Sequence, residues 1–188
     1  MNIAIYCGSS FGASKIYEEK TKALAKKLYE NSIQIVYGGS IQGLMGTISN
    51  ESLKYGNKVT GVITNDLANK EIENKSLQEI YRVHTINDRK EKMEELSDGF
   101  IALPGGYGTF DEIFEVISLA QMGYHKKPCA FLNINGYYDN LLNFLKNVSK
   151  EGFIDKRFID MLIITDDIDE LILEIKHYKA PLAKWEDK

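Results

Sequence analysis

The chain has 188 residues, 44% of them hydrophobic, a size that suits one domain with a substantial core. Its formal net charge of −4 removes a broad electrostatic case for nucleic acid, and no apolar run approaches membrane-spanning length. Cys7 and Cys129 lie in apolar runs with neither disulfide nor metal-ligand spacing, so they read as reduced core thiols of a cytoplasmic protein.

Taken in order, Ile3–Cys7 is expected to be a first strand, with no basic leader before it and the small residues Gly8-Ser9-Ser10 after it. Ser14 suits the N-cap of a helix over Lys15–Glu30, which carries Ala23, Leu24 and Leu28 on one face. Ile33–Tyr37 reads as a second strand ending in Gly38-Gly39-Ser40. A helix over Gly43–Tyr55 follows, closed by Gly56-Asn57, and Val59–Ile63 is a third strand. Residues 65–80 are polar and poorly periodic, and read as a mobile excursion over the carboxyl ends of the strands. Tyr81–Ile86 is expected to be a strand, with Asn87 or Asp88 capping a helix over Arg89–Ser97.

Phe100-Ile101-Ala102-Leu103 reads as a central strand buried on both faces, and Ile113–Leu119, extending to about Met122, as the helix after it. Between them stands Pro104-Gly105-Gly106-Tyr107-Gly108-Thr109-Phe110-Asp111-Glu112. Glycines there let backbone N–H groups approach a ligand, and a helix N-terminus favours negative charge. Gly105, Gly106, Tyr107, Gly108 and Thr109 are therefore candidates for a phosphate cradle, with the Glu112 carboxylate beside it. Lys127–Asn133 is a further strand, Asn135-Gly136 turns into a helix over Tyr137–Lys150, and Gly152–Ile154 is a link. Met161–Ile164 is a short strand, Asp166 or Asp167 caps a last helix through His177, and Pro181–Lys188 is a loose polar tail.

Alternating strands and helices imply an α/β fold: a doubly wound, mainly parallel sheet with helices on both faces, formed by residues 1–180 as a single domain. Ligands of such sheets bind outside the carboxyl ends of the strands, where three turns carry small residues that can share one crevice. The dinucleotide fingerprint is missing from the first turn, which argues against an NAD enzyme. His84 and His125 read as structural or exposed rather than catalytic. Arg89-Lys90 opens the helix before the central strand and offers anion-binding groups to the same crevice.

The chain resembles the LOG ("lonely guy") family of cytokinin-activating phosphoribohydrolases, long labelled "possible lysine decarboxylase". The resemblance rests on Tyr6–Ser10, Tyr37-Gly38-Gly39, Gly43-Leu44-Met45-Gly46, Arg89-Lys90, Leu103–Glu112, Asn135–Tyr138 and Glu151–Ile154. It implies a homodimeric, Rossmann-like enzyme that hydrolyses the N-glycosidic bond of a purine nucleoside 5′-monophosphate, AMP or an N6-substituted form. It further implies Arg89 and Glu112 as the catalytic pair, Gly106–Thr109 as the phosphate cradle, and Glu71, Lys90 and Ser118 as substrate contacts. This sequence departs from the family's pattern at Ile86-Asn87-Asp88, at Ser40 and at Lys70, positions that bear on base preference.

The chemistry suits these residues. A carboxylate near the anomeric carbon stabilises the positive charge that builds on the sugar and can orient water, so neither a metal nor an organic cofactor is expected. Two other readings stay open: a non-catalytic nucleotide carrier on the same fold, to which an acid beside the cradle adds nothing, and a deoxyribosyl transferase without a 5′-phosphate site. Decarboxylation of lysine is rejected, since nothing marks a Schiff-base lysine for pyridoxal phosphate.

Overall fold

The computed structural model describes residues 1–70 and 72–186. Seven strands form one sheet: β1 (Asn2–Tyr6), β2 (Gln34–Tyr37), β3 (Val59–Thr64), β4 (Glu79–Val83), β5 (Gly99–Ala102), β6 (Cys129–Leu132) and β7 (Ile163–Thr165). Their order is β4-β3-β2-β1-β5-β6-β7 and every neighbouring pair is parallel. The chain therefore winds outward from β1 to β4, returns to the other side of β1, and winds outward again to β7. The gap between β1 and β5 is the topological switch point, where a crevice opens by construction.

The helices are α1 (Lys15–Glu30), α2 (Gly43–Lys54), α3 (Asn65–Asn69), α4 (Ile86–Glu95), α5 (Tyr107–Met122), α6 (Asp139–Lys150), α7 (Lys156–Asp160) and α8 (Ile168–His177). Successive strand side chains face opposite ways. Ile3 and Ile5 of β1 join Ile101 of β5 in a core with residues of α1, α2 and α8. Ala4 and Tyr6 join Phe100 and Ala102 in a second core with Met93 of α4, Ile113 and Val116 of α5, and residues of α6 and α7. Burial on both faces explains why the inner strands are apolar without alternation.

Most expected elements are present, with several shifts of boundary. Ser14 caps α1 by accepting from the Ile16 N–H, and Asp167 caps α8. The fourth strand ends at Val83 and α4 begins at Ile86, because Thr85 rather than Asn87 or Asp88 is the N-cap. Asp88 completes a capping box from the third helical position. Helix α5 starts at Tyr107 with Gly106 as its N-cap, so Pro104–Gly106 form the turn and Tyr107–Glu112 are already helical. Between the Gly152–Ile154 link and the last strand lies an unforeseen short helix, α7, capped by Asp155.

The 65–80 excursion is anchored rather than free. It opens with α3. Beyond it, Ile41 N–H donates to Ile72 O at 2.9 Å, Asn74 N–H donates to Gly39 O at 2.8 Å, and Glu73 makes an antiparallel bridge with Ser40. Arg82 grips the Glu73 carboxylate through two bonds of 2.8 and 2.7 Å. The tail is also docked as far as it is described: Ala183 is buried and Lys184 N–H donates to Gln121 O at 3.0 Å. Among the described residues, no helix is long and apolar enough to cross a membrane.

Candidate active site

A cavity of about 410 Å³ opens at the carboxyl ends of the strands. Cys7, Gly8 and Ser9 after β1, Gly38 and Ser40 after β2, and the start of α5 all line it. At its floor Arg89 Nη1–H donates to Glu112 Oε1 at 2.6 Å, and Arg89 Nε–H donates to Val62 O at 3.0 Å. Both side chains are about nine-tenths buried. Arg89 reaches this point because α4 is the crossover from the edge strand β4 back to the central β5. Met93, one turn later, is fully buried and fixes the helix against the sheet.

Gly38 makes room for the guanidinium. A Cβ there would lie 2.0 Å from Arg89 Nη2 and 3.1 Å from Met45 Sδ. Gly105 is equally constrained, since its Cβ would stand 2.1 Å from Thr109 Oγ1 and 2.9 Å from Gly8 N. Gly106 and Gly108 differ: an added Cβ would meet no atom within 4 Å. Internal packing does not require glycine at these two places, and their backbone is open to close approach from the cavity side. They lie at the N-terminus of α5, where N–H groups lack intrahelical partners and favour an anion. Thr109 is buried beside them, and Tyr107 is 92% exposed at the rim.

The electrostatics of the floor are set by burial and one ion pair. Burial pushes the Glu112 carboxyl above its ordinary 4.5, while Arg89 pulls it back. Burial also drives the Cys7 thiol far upward, with Glu112 adding to the effect. Cys7 is thus a neutral thiol at working pH and no nucleophile.

Two of the expected contacts lie elsewhere. Lys90 points along the outside of α5 and pairs with Asp111 at 3.0 Å and with Glu115. Ser118 sits on the exposed side of α5, away from the cavity. Glu71 lies outside the described residues. The sequence assigned no role to the apolar wall: Met45 from α2, within the Gly43–Gly46 stretch, Leu67 from α3 and Ile72. Met45 and Ile72 follow strand ends, but only the docking of the 65–80 segment onto the Gly39–Ile41 turn brings these residues together.

His125 is structural. Its Nε2 bonds Val116 O at 2.9 Å and its Nδ1 accepts from Lys127 N–H at 3.1 Å, while burial lowers its basicity. His84 is exposed, 3.5 Å from the Asn65 amide.

Fold and site together define a Rossmann-like α/β protein with a crevice at its switch point, a helix N-terminus on its wall and a buried arginine–carboxylate pair beneath it. The family model described as "possible lysine decarboxylase" matches residues 45–175. A probable cytokinin riboside 5′-monophosphate phosphoribohydrolase of Oryza sativa subsp. japonica is 41% identical over 98% of this chain and 78% of its own. A cytokinin riboside 5′-monophosphate phosphoribohydrolase of Arabidopsis thaliana is 40% identical over 94% and 83%. The chain belongs to this family, the LOG family. Solved structures extend the fold further. A molybdenum cofactor binding protein of Rippkaea orientalis superposes with a TM-score of 0.70 at 19% identity, covering 94% of this chain and 95% of its own. The Moco carrier protein of Chlamydomonas reinhardtii does so at 0.70 and 15%, with the same coverage.

Proposed function

We propose that this protein hydrolyses the N-glycosidic bond of a purine nucleoside 5′-monophosphate, AMP or an N6-substituted relative, to the free base and ribose 5-phosphate. The observation that carries this reading is the Arg89–Glu112 pair buried beside a helix N-terminus whose glycines face open space. A carrier needs the anion site but not a desolvated acid next to it. The relatives at about 40% identity bear the name of this activity. The label "lysine decarboxylase" does not describe the site, since among the described residues no lysine lines the cavity.

In this reading the α5 N–H groups and Thr109 hold the 5′-phosphate, so binding energy far from the reacting bond positions the sugar. The C1′–N bond breaks with its electron pair going to the base. Glu112 stabilises the positive charge on the ribosyl group and takes a proton from the attacking water, whose oxygen bonds to C1′. The departing base nitrogen takes up a proton from solvent, so that free base results, and Glu112 later returns its proton to solvent. Arg89 favours the ionised form of Glu112, against the larger effect of burial, and orients it. The base lies against Met45, Leu67 and Ile72. No step calls for a metal or an organic cofactor. Glu71, Lys90 and Ser118 remain proposed substrate contacts, the last two only through a change of side-chain position or a second copy. A homodimer is supported by α5, which exposes Met122 and is followed by the exposed Tyr124. A reducing, cytoplasmic setting is supported by two buried, unpaired cysteines.

The test is to incubate the protein with AMP, N6-isopentenyl-AMP and adenosine and to follow free base by chromatography. Base should appear from the monophosphates and not from adenosine. Glu112→Gln should keep nucleotide affinity and lower kcat at least about a hundredfold. Turnover of adenosine alone, or full activity in that variant, would overturn the reading.

A further inference from the structure

We propose that Tyr137 is a positioning residue that sets the direction of the backbone donor opening the phosphate cradle. This inference rests on the reading of the cavity as a nucleotide site. The three carbonyls that lead into the cradle are each held from behind. Tyr138 O–H donates to Leu103 O at 2.6 Å, Gly8 N–H donates to Pro104 O at 3.0 Å, and Tyr137 O–H donates to Gly105 O at 2.5 Å.

The last of these bonds has a consequence for binding. Gly105 O and Gly106 N–H belong to one planar trans peptide, so they point in opposite directions. Holding the carbonyl toward Tyr137 turns the Gly106 N–H away from Tyr137, and Gly106 lines the cavity. That peptide joins two glycines, the pair least able to resist a flip by side-chain sterics. A flip would present a carbonyl oxygen, in place of an N–H, to an incoming phosphate. Tyr137 is placed to prevent it. Its ring is braced edge-on by Tyr17 at 5.9 Å and by Tyr138 at 4.9 Å between centroids. Tyr137 lines an adjoining hollow with Phe11 and Tyr17; Gly8 and Gly106 stand between this hollow and the main cavity and line both, whereas Tyr137 is absent from the lining of the main cavity. It acts through Gly105 and not by touching the substrate.

The experiment compares wild type with Tyr137→Phe, which keeps the ring and its packing and removes only the hydroxyl. Calorimetry would measure ribose 5-phosphate and adenine binding, and steady-state kinetics would measure AMP turnover. The expected result is a rise of about five- to tenfold in the ribose 5-phosphate Kd and the AMP KM, the scale of one hydrogen bond, with kcat and the adenine Kd unchanged. Tyr138→Phe, which loses a buried bond one step earlier in the turn, should lower Tm without that split. Equal ribose 5-phosphate affinity in wild type and Tyr137→Phe would overturn the proposal, as would a loss shared equally by adenine. A wild type that binds ribose 5-phosphate tightly, loses that affinity in Tyr137→Phe and yet releases no base would sustain the positioning role while defeating the hydrolase reading.

Discussion

Glu112 sits where two demands conflict. Burial favours its neutral form, and the adjacent guanidinium favours the charged form, with burial the larger effect. The acid limb of kcat/KM for AMP should therefore fall at a pH above 4.5, the ordinary value for this side chain. Arg89→Met removes the opposing influence, so the limb should move higher still; a limb that stays put would mean another group titrates. The sign for stability follows from the same shift. The folded protein holds this proton more tightly than the unfolded chain does. Glu112 thus adds stability below the ordinary carboxyl range and loses that contribution as pH rises through its elevated folded value. Gly38 shows how one absent side chain shapes the same pair. Gly38→Ala would push a methyl into Arg89 and against Met45. It is expected to lower kcat about ten- to a hundredfold, through displacement of the arginine, and to lower Tm as well, because the buried Arg89–Glu112 pair is disturbed. Arg89 and Glu112 were legible as residue types at the starts of helices. Their contact at 2.6 Å was not, because it depends on a crossover spanning the central strands.

Helix α4 delivers Arg89, yet only one of its residues, Met93, is fully buried among otherwise polar neighbours. Its position depends heavily on how it starts. Thr85 accepts from Asp88 N–H, and Asp88 accepts from Thr85 N–H, each at 3.0 Å. Thr85→Ala should lower stability by about 1 kcal/mol, read as a lower urea midpoint at unchanged m. Asn87 and Asp88 looked like caps because both residue types cap helices; the threonine three positions before an acid was the stronger signal. The short helices α3 and α7, five residues each, left no periodic trace in the sequence. Strands and long helices were readable because burial on two faces and amphipathic spacing act locally. The 65–80 segment was not, because what orders it is remote: the turn after β2, the amide of Asn74 on Ser49 and Asn50, and Arg82 on Glu73.

Over the whole molecule, the crevice collects loops from both halves of a parallel sheet whose strand order reverses at β1. The turns after β1 and β2 meet α4, α5 and Ile72 there, so a ligand filling it touches elements from both sides of β1. Glycine-rich strand ends made the location legible, whereas the apolar wall of Met45, Leu67 and Ile72 emerged only once the sheet had assembled. A ligand that binds the folded state alone stabilises it by mass action, about 2.7 kcal/mol at a hundred times its Kd. For a chain of this size that corresponds to a rise in Tm of about 5–10 °C. Ribose 5-phosphate should produce such a rise, and AMP should produce it in Glu112→Gln, where turnover does not deplete the ligand. Adenosine at the same concentration should give a far smaller shift, because in the proposed reading the helix N-terminus is the main anchor and adenosine brings it no charge. A shift from adenosine equal to that from AMP would place the binding energy in the apolar wall instead, and the glycines of the turn would then need a different explanation.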